Sequence, residues 1–461
     1  MSNHLSPVTI TMSDNLKLDA LKYLIDTGHL NKCKILASQH SEKSQGIGIA
    51  NLPFIYDLEI DLILLNDSSH NLYEKFVQYP EKTRNIFRDV IQEEMIKYLT
   101  CNKCRPVHTE LHIHCTILPH ISKIRNIKPT ALILLKRYVL TAMTVAVTYS
   151  ICKFYRCTNT FCIRNLMGFY LTEEDVQMEE WKKCELCYQS VIEDQARSGE
   201  GQRVLVNFIP ITGFRSHKPG MHRAITCSVT ESLIKKLELG SEYHICGYQK
   251  TQWFEILGLE KYNPFGIKYE PYVWPSTILS LKSMIDQTHP NSPWAFVMFL
   301  ASQLGHSICP SKSSLSLKMG LLLSLSNLNG NKVVPVMCVG PSTKIAAELM
   351  NHTSKFAERH LRNGFPIVGF IKEIGNWTWQ ESGILIMAKN GVCNLGNWEG
   401  LKQSEREVIS STIGANKIKV NTKCVKGFGT IPIYSLKTAI WTYWGYSRSE
   451  RHNSMVKKCV E

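Results

Sequence analysis

Four cysteines stand in two close pairs, Cys157-x4-Cys162 and Cys184-x2-Cys187, with 21 residues between the pairs. Thiolates are soft ligands, and two pairs joined by a loop long enough to fold back can close a tetrahedron around a zinc ion. Every corner would be sulfur and no position is left open, so such an ion is structural rather than catalytic. The chain holds 16 cysteines, so coincidence is the competing account, and Cys152 is an alternative ligand if Cys157 points away. A second set, Cys101-x2-Cys104 followed by His108, His112, His114 and His120, admits a Cys2His2 reading. Against it, His108 to Cys115 alternates like a half-buried strand and puts His112 and His114 on one solvent face, where surface histidines are the plainer account.

The run Val339-Gly340-Pro341-Ser342-Thr343-Lys344-Ile345 follows the apolar stretch Val333 to Cys338, as a phosphate-binding loop follows its strand. A working loop needs GxxxxGK[ST]: glycines so that backbone N–H groups wrap the phosphates, a lysine for charge and a hydroxyl for Mg²⁺. Here the loop is too short, the second glycine is missing, and Ile345 stands where the hydroxyl belongs; Gly340 and Lys344 alone remain. Downstream, the strand-like Gly391 to Trp398 carries Gly396 and Asn397 at its end, where metal coordination and water activation require carboxylates. No G-x-S-x-G, H-E-x-x-H or paired-carboxylate motif stands elsewhere. Neither an enzyme nor ATP as a cofactor is expected; ATP held by an atypical loop is the alternative.

These residues need elements to hold them. At 461 residues, 44% hydrophobic and 20% charged, the chain has the composition of a folded protein of two or three domains and excludes a disordered, collagen-like or single coiled-coil protein. Residues 14–100 read as helical, from Leu16, Leu18, Leu21, Leu24 and Ile25 to Phe87, Val90, Ile91 and Met95, with a strand-like run at Ile60 to Leu65 and a break at Asn66 to Ser69. From 203 to 258, short strands at Val204 to Phe208, Ala224 to Val229 and Tyr243 to Tyr248 suit a small barrel. Beyond a Pro- and Tyr-rich linker, strands at Val333 to Cys338, Ile384 to Ala388, Val392 to Leu395 and Ile433 to Trp441 alternate with helices, which implies an α/β domain with a mainly parallel sheet. The longest apolar run, Tyr138 to Cys152, is 15 residues and too short to span a bilayer. The N-terminus lacks a basic start and apolar core, so no secretory signal and no membrane partner are expected. The net charge of +14 favours a polyanion as partner.

In this order, a four-cysteine insert beside a small barrel and then an eroded nucleotide fold, the chain resembles the minichromosome maintenance (MCM) family. Tyr56-Asp57-Leu58-Glu59-Ile60-Asp61-Leu62 is similar to its N-terminal subdomain. Leu237 to Gly247 resembles the motif of its oligonucleotide-binding (OB) fold, Ser307 to Ser311 with Lys318 the opening of its ATPase domain, and Ala388 to Cys393 the approach to Walker B. The x4 spacing and the loss of both Walker motifs resemble the divergent MCM-domain-containing protein two lineage, which includes insect meiotic MCM-like proteins. The resemblance implies a multidomain α+β and α/β fold: an N-terminal helical subdomain over 1–106, and an OB-fold β-barrel over 107–262 with a zinc-binding insert at 152–190. A linker over 263–292, a degenerate and truncated AAA+ (P-loop-like) α/β domain over 293–446, and a basic polar tail over 447–461 follow.

It also implies a nuclear protein of meiotic recombination and double-strand break repair, with structural zinc on Cys157, Cys162, Cys184 and Cys187. Its partners would be DNA, as single strands or recombination intermediates, and MCM-family proteins in a hetero-oligomer. Arg215, Lys218 and Arg223 sit in the turn and strand that the family aims at DNA, Arg223 on the Arg of its Pro-Arg-Ser run with His222 replacing the proline. A solvated loop is the other account of these three. A protein-interaction scaffold without DNA contact and an ATP-dependent helicase subunit are the alternative functions.

Overall fold

The structure, a computed structural model, describes residues 7–47, 53–99, 108–116, 131–172, 183–215, 223–262, 275–328, 330, 332–341, 343–362, 366–421 and 432–445. Its first part runs α1 (Pro7–Asp26), α2 (His29–Ile47), β1 (Phe54–Ile60), α3 (Leu62–Ser68), α4 (His70–Gln78), α5 (Pro80–Leu99) and β2 (Thr109–Cys115). Leu16, Ala20, Tyr23 and Leu24, with Phe87, Val90, Ile91 and Met95, recur at three- and four-residue spacing and bury against the parallel pair β1–β2. The strand-like run expected at Ile60 to Leu65 ends at Ile60. Asp61 accepts the N–H groups of Ile63 (2.9 Å) and Leu64 (3.3 Å) and so starts a helix at Leu62.

The histidines of β2 do not face solvent as their alternation suggested. Leu111 and Ile113 join the apolar cluster of the helices, Cys115 lies against Cys246 and Gly258 of the barrel, and on the opposite face Ser232 meets His114 at 2.9 Å. Both faces of this strand are covered, so alternation could not tell a wet face from a polar interface.

The barrel comprises β3 (Ile133–Thr144), β4 (Val147–Cys157), α6 (Ile163–Met167), β5 (Phe169–Thr172), β6 (Val191–Glu193), β7 (Gly199–Pro210), β8 (Ile225–Thr230), β9 (Glu242–Gln249) and β10 (Phe254–Tyr262). Five of these strands close a ring: β3 pairs with β7 and β9, β7 with β8, β8 with β10, and β10 with β9. Only β8–β10 is parallel in that ring. Leu140, Val204, Val206, Phe208, Val229 and Ile245 fill the interior. The 15-residue apolar run is the end of β3 and the start of β4, and among the described residues no helix is long and apolar enough to cross a membrane.

The last part holds β11 (Val336–Val339), β12 (His360–Arg362), β13 (Phe370–Ile374), β14 (Trp377–Glu381), β15 (Gly391–Asn397), β16 (Lys417–Lys419), β17 (Ile433–Ser435) and β18 (Thr438–Trp444). Its four-stranded sheet, in the order β11-β18-β15-β12, is parallel at every pairing. Trp441, fully buried, donates its indole N–H to Ser324 (2.9 Å) and pins the helix Leu315–Ser326 to that sheet. Three expectations change here. Ile384 to Met387 is a buried helical turn rather than a strand, because a short apolar run fits either. The run expected at 433–441 divides at Leu436 and Lys437 into β17, which pairs with β16, and β18. The range taken as linker contains the helix Ser276–Thr288, whose single buried residue, Ile285, left no apolar stripe to read.

Barrel and parallel sheet are joined twice. The hairpin β13–β14, inserted between β12 and β15, extends the barrel sheet through antiparallel pairing of Trp379 with Thr144 and Glu381 with Ala142. Beside it, Arg359 is buried against Glu242 (Nε to Oε1 2.9 Å, Nη2 to Oε1 2.8 Å) and donates to the carbonyls of Gly240 and Met387. The other oxygen of Glu242 takes Arg137 at 2.9 Å, which also reaches Glu358 at 2.6 Å. Gly240 makes the closeness possible: its φ is +76°, and a Cβ there would lie 2.1 Å from the Ile386 carbonyl oxygen. Lys389 bonds Ser241 (2.8 Å) and, with Lys261, pairs with Glu238.

Taking Glu242 away leaves Arg359 buried without its counter-charge, so Glu242→Ala should cost about 3–5 kcal/mol in urea unfolding, and Glu242→Ala with Arg359→Met clearly less. Burial raises the Glu238 carboxyl, but hydrogen bonds from Lys261 and Lys389 outweigh it and hold it at about 2 against an ordinary 4.5. A depressed carboxyl stabilises above its unfolded value and loses that contribution as pH falls towards the folded one. Thermal midpoints of Glu238→Gln and the parent should therefore differ at pH 7 and converge as pH falls towards 2.

Candidate functional site

β4 ends at Cys157, and an Asx turn, with Asn159 Oδ1 accepting the Phe161 N–H at 3.0 Å, returns the chain to Cys162 at the start of α6. β6 pairs back on β4, Cys157 opposite Val191, and so carries the tight turn of Cys184 to Tyr188 to the same place. All four Sγ atoms lie within 4.8 Å of one another. Cys162 and Cys184 are 3.8 Å apart and Cys157 and Cys187 3.2 Å. Sulfurs at the corners of a tetrahedron about 2.3 Å from a central zinc stand about 3.8 Å apart, so the donor set fits that ion.

The surroundings fit as well. Asn159 N–H donates to Cys157 Sγ at 3.4 Å. Burial raises the Cys184 thiol, but the N–H groups of Leu186 and Cys187, with the neighbouring thiols, outweigh it and lower it to about 7. Arg164 reaches Glu185 at 2.6 Å and ties the two turns together. The module's apolar cluster consists of Cys157, Cys162 and Cys184 with Cys187 and Val191 packed on it. A segment with so small a core would be stabilised by a metal held on these sulfurs. Cys152 does not belong to the set: it is fully buried and turned towards Gly199.

The second set does not assemble among the described residues. Cys101, Cys104 and His120 lie outside them, His108 meets Glu110 (2.7 Å), His112 meets Asp57 (3.1 Å), and His114 meets Ser232 (2.9 Å). Each ring has a separate partner in the contact between β2 and its neighbours.

Gly340 follows β11 at its C-terminal end, and the helix Thr343–Thr353 begins three residues later. A Cβ on Gly340 would meet nothing within 4 Å, so no close wrapping requires a glycine there. The adjoining cavity, about 260 Å³, is lined by Leu317, Cys338, Pro341, Ala346, Tyr443 and Trp444 among other uncharged residues, while Lys344 is exposed outside it. At the end of β15, Gly396 takes φ +79° beside a register shift, and Asn397 Oδ1 caps the next turn by accepting the Glu399 N–H (3.2 Å). Glu399 itself, which sequence reading passed over, receives the Trp444 indole N–H at 2.8 Å. Its place two residues past the strand end was the available signal. Of the basic residues, Arg215 ends the short helix after β7, Arg223 is exposed just before β8, and Lys218 lies outside the described residues.

The family model described as the MCMDC2 N-terminal domain matches residues 16–118, the span from α1 to β2. Minichromosome maintenance domain-containing protein 2 of Rattus norvegicus is 19% identical over 95% of this chain and 68% of its own length; the Mus musculus protein is 20% identical with the same coverage. Over nearly its whole length the chain is similar to the MCM domain-containing protein 2 lineage. The human member is 21% identical over 59% of this chain and 42% of its own length. The rodent matches run through the cysteine module, the barrel and the parallel sheet alike.

Purified protein should hold about one zinc per chain. Cys184→Ser with Cys187→Ser should release it and expose the amides of β5 and β6 to hydrogen exchange, with the barrel strand β9 still protected. Folded protein with less than about half an equivalent, or a variant that keeps its zinc, contradicts the assignment.

Proposed function

We propose that this protein is a catalytically inactive MCM-like subunit that binds DNA through its barrel and assembles with MCM-type partners through its α/β domain, in meiotic recombination and double-strand break repair in the nucleus. The observation that carries the reading is the order of strands round the barrel. Numbered along the chain, the five ring strands follow 1-2-3-5-4-1 with strands 3 and 5 parallel. That arrangement supports an OB fold, whose groove takes oligonucleotides. The basic turn from Arg215 to Arg223, between ring strands two and three, supplies charge for phosphates.

The α/β domain reads as an AAA+ fold that has lost its chemistry. Phosphoryl transfer rests almost wholly on positioned charge. Here the cavity beside Gly340 is uncharged, Lys344 stands outside it, Asn397 is used as a cap, and Glu399 is engaged by Trp444. Zinc on Cys157, Cys162, Cys184 and Cys187 would hold the insert in shape and takes no part in chemistry.

Binding of single-stranded DNA should fall steeply with salt, and Arg215→Glu, Lys218→Glu and Arg223→Glu together should weaken it and flatten the slope of log K against log salt by about one to three units. Unchanged affinity in the triple variant would favour the scaffold without DNA contact. ATP turnover in a clean preparation that Lys344→Ala abolishes would refute inactivity.

A further inference from the structure

We propose that the cysteine module is a metal-dependent clasp on the helical subdomain: it carries the Tyr170 ring onto His108, so that an ion on the four sulfurs holds the first residues of the β1–β2 pair in place. This rests on the reading of Cys157, Cys162, Cys184 and Cys187 as a zinc site and names what that site controls.

The reach from the sulfurs to the ring is short and stiff. Cys162 stands at the start of α6, and the five residues of α6 with Gly168 are all that separate it from β5. Gly168, at φ +67°, lies so close to Phe154 that a Cβ would fall 2.0 Å from that ring. Arg164 of α6 reaches Glu185, the neighbour of Cys184, at 2.6 Å and lies over Phe169 with its guanidinium 4.7 Å from the ring centre. Each step between ligand and Tyr170 is thus fixed by a contact. The four-residue pairing of β5 with β4 is marginal in itself, so the order of β5 leans on those steps.

Tyr170 delivers that order to the helical subdomain. Its ring stacks on His108, 4.6 Å between centres and 11° from parallel, and Phe154 lies 4.8 Å from it. Rings at that spacing attract beyond the area they bury. His108 directly precedes β2, and its carbonyl accepts the Phe54 N–H that opens β1 at 2.8 Å. Its Nε2 meets Glu110 at 2.7 Å, and Glu110 is buried with Arg88 of α5 at 3.9 Å. The imidazole is therefore placed from two sides, by a ring of the insert and a carboxylate of β2. Farther along the pair, Leu58, Ile60 and Ile113 bury in the helical cluster and need no ring contact. Losing the stack should loosen only the beginning of the pair.

The Phe54 amide is the reporter, read by residue-resolved hydrogen exchange on the full chain. Stripping zinc with EDTA should speed its exchange about ten-fold or more, while Leu58 and Ile60, whose N–H groups face β2 by the two-residue alternation, keep their rates. Tyr170→Ala, which leaves all four cysteines in place, should keep about one zinc per chain, show the fast Phe54 exchange already and gain nothing on chelation. Tyr170→Phe, which keeps the ring, should behave as the parent. Should Tyr170→Ala lose its zinc, His108→Leu removes the stack from the other side and should show the same fast exchange and indifference to EDTA. A Phe54 amide that ignores chelation in a parent seen to give up its zinc overturns the control and leaves the zinc site standing. A parent that holds no zinc overturns the zinc reading and the control with it. Chelation that speeds Phe54 in these variants as much as in the parent overturns the route through the stack.

Discussion

A single buried carboxylate, Glu242, holds two guanidinium groups from distant parts of the chain, and the joining of barrel to parallel sheet depends on it. Arg137 comes from the barrel and Arg359 from the segment that enters β12. Glu242 and Arg359 are out of water while Arg137 is 21% exposed, so removing a partner of the buried pair costs more than the intact pair contributes. Gly240 sets the distance, because any side chain there would push the Ile386 carbonyl away and take Arg359 with it. The β13–β14 hairpin then runs on as barrel strands. Two units that look separable along the sequence therefore share one hydrophobic cluster, from Leu140 and Phe208 to Ile386 and Ile440.

What could be read beforehand follows from how local each constraint is. The cysteine pairs were legible because the ligands of each pair are neighbours in sequence, and the four singled out are the four that converge. The strands at 204–208 and 243–248 were legible from their alternation and punctuation, and lie inside β7 and β9. Glu242 with Arg359 was not: the partners are 117 positions apart, and nothing in either neighbourhood marks a buried charge. The histidines of β2 show the limit of periodicity, since alternation gives two faces but not what covers each. His114 meets Ser232 across the contact with the barrel, and His112 meets Asp57, its neighbour on β1, so neither ring is simply a solvated one.

The cysteine module and the barrel are stabilised by different means. Barrel strands bury Val206, Phe208, Cys227 and Ile245 almost completely and need no ligand to do so. The module leaves Phe161 97% and Tyr188 77% exposed, and its interior is little more than four sulfurs. Its order relies on those sulfurs and on β6 pairing with β4, so a metal bound there would stabilise the insert rather than the ring that carries it.

On the proposed reading, the end of the α/β domain at Gly340 and Gly396 would be a case of a fold outlasting its chemistry. Sheet packing uses Leu349, Met350, Val392 and Trp441, all facing the interior, and none of these is needed to hold phosphate. The positions in question sit at the tip of β15 and in the first turn of the helix after β11, where packing makes few demands, and there Gly396, Asn397 and Ile345 can stand without cost to the core. Asn397 and Glu399 have gone further: one caps a turn and the other receives Trp444, so the strand end is now held by its own side chains. Restoring a carboxylate at Asn397 alone would keep an acceptor for that cap, but would bring no cation to the cavity beside Gly340, which Lys344 does not line. On the proposed reading the loss is distributed over both loops, and a single reversion would not undo it.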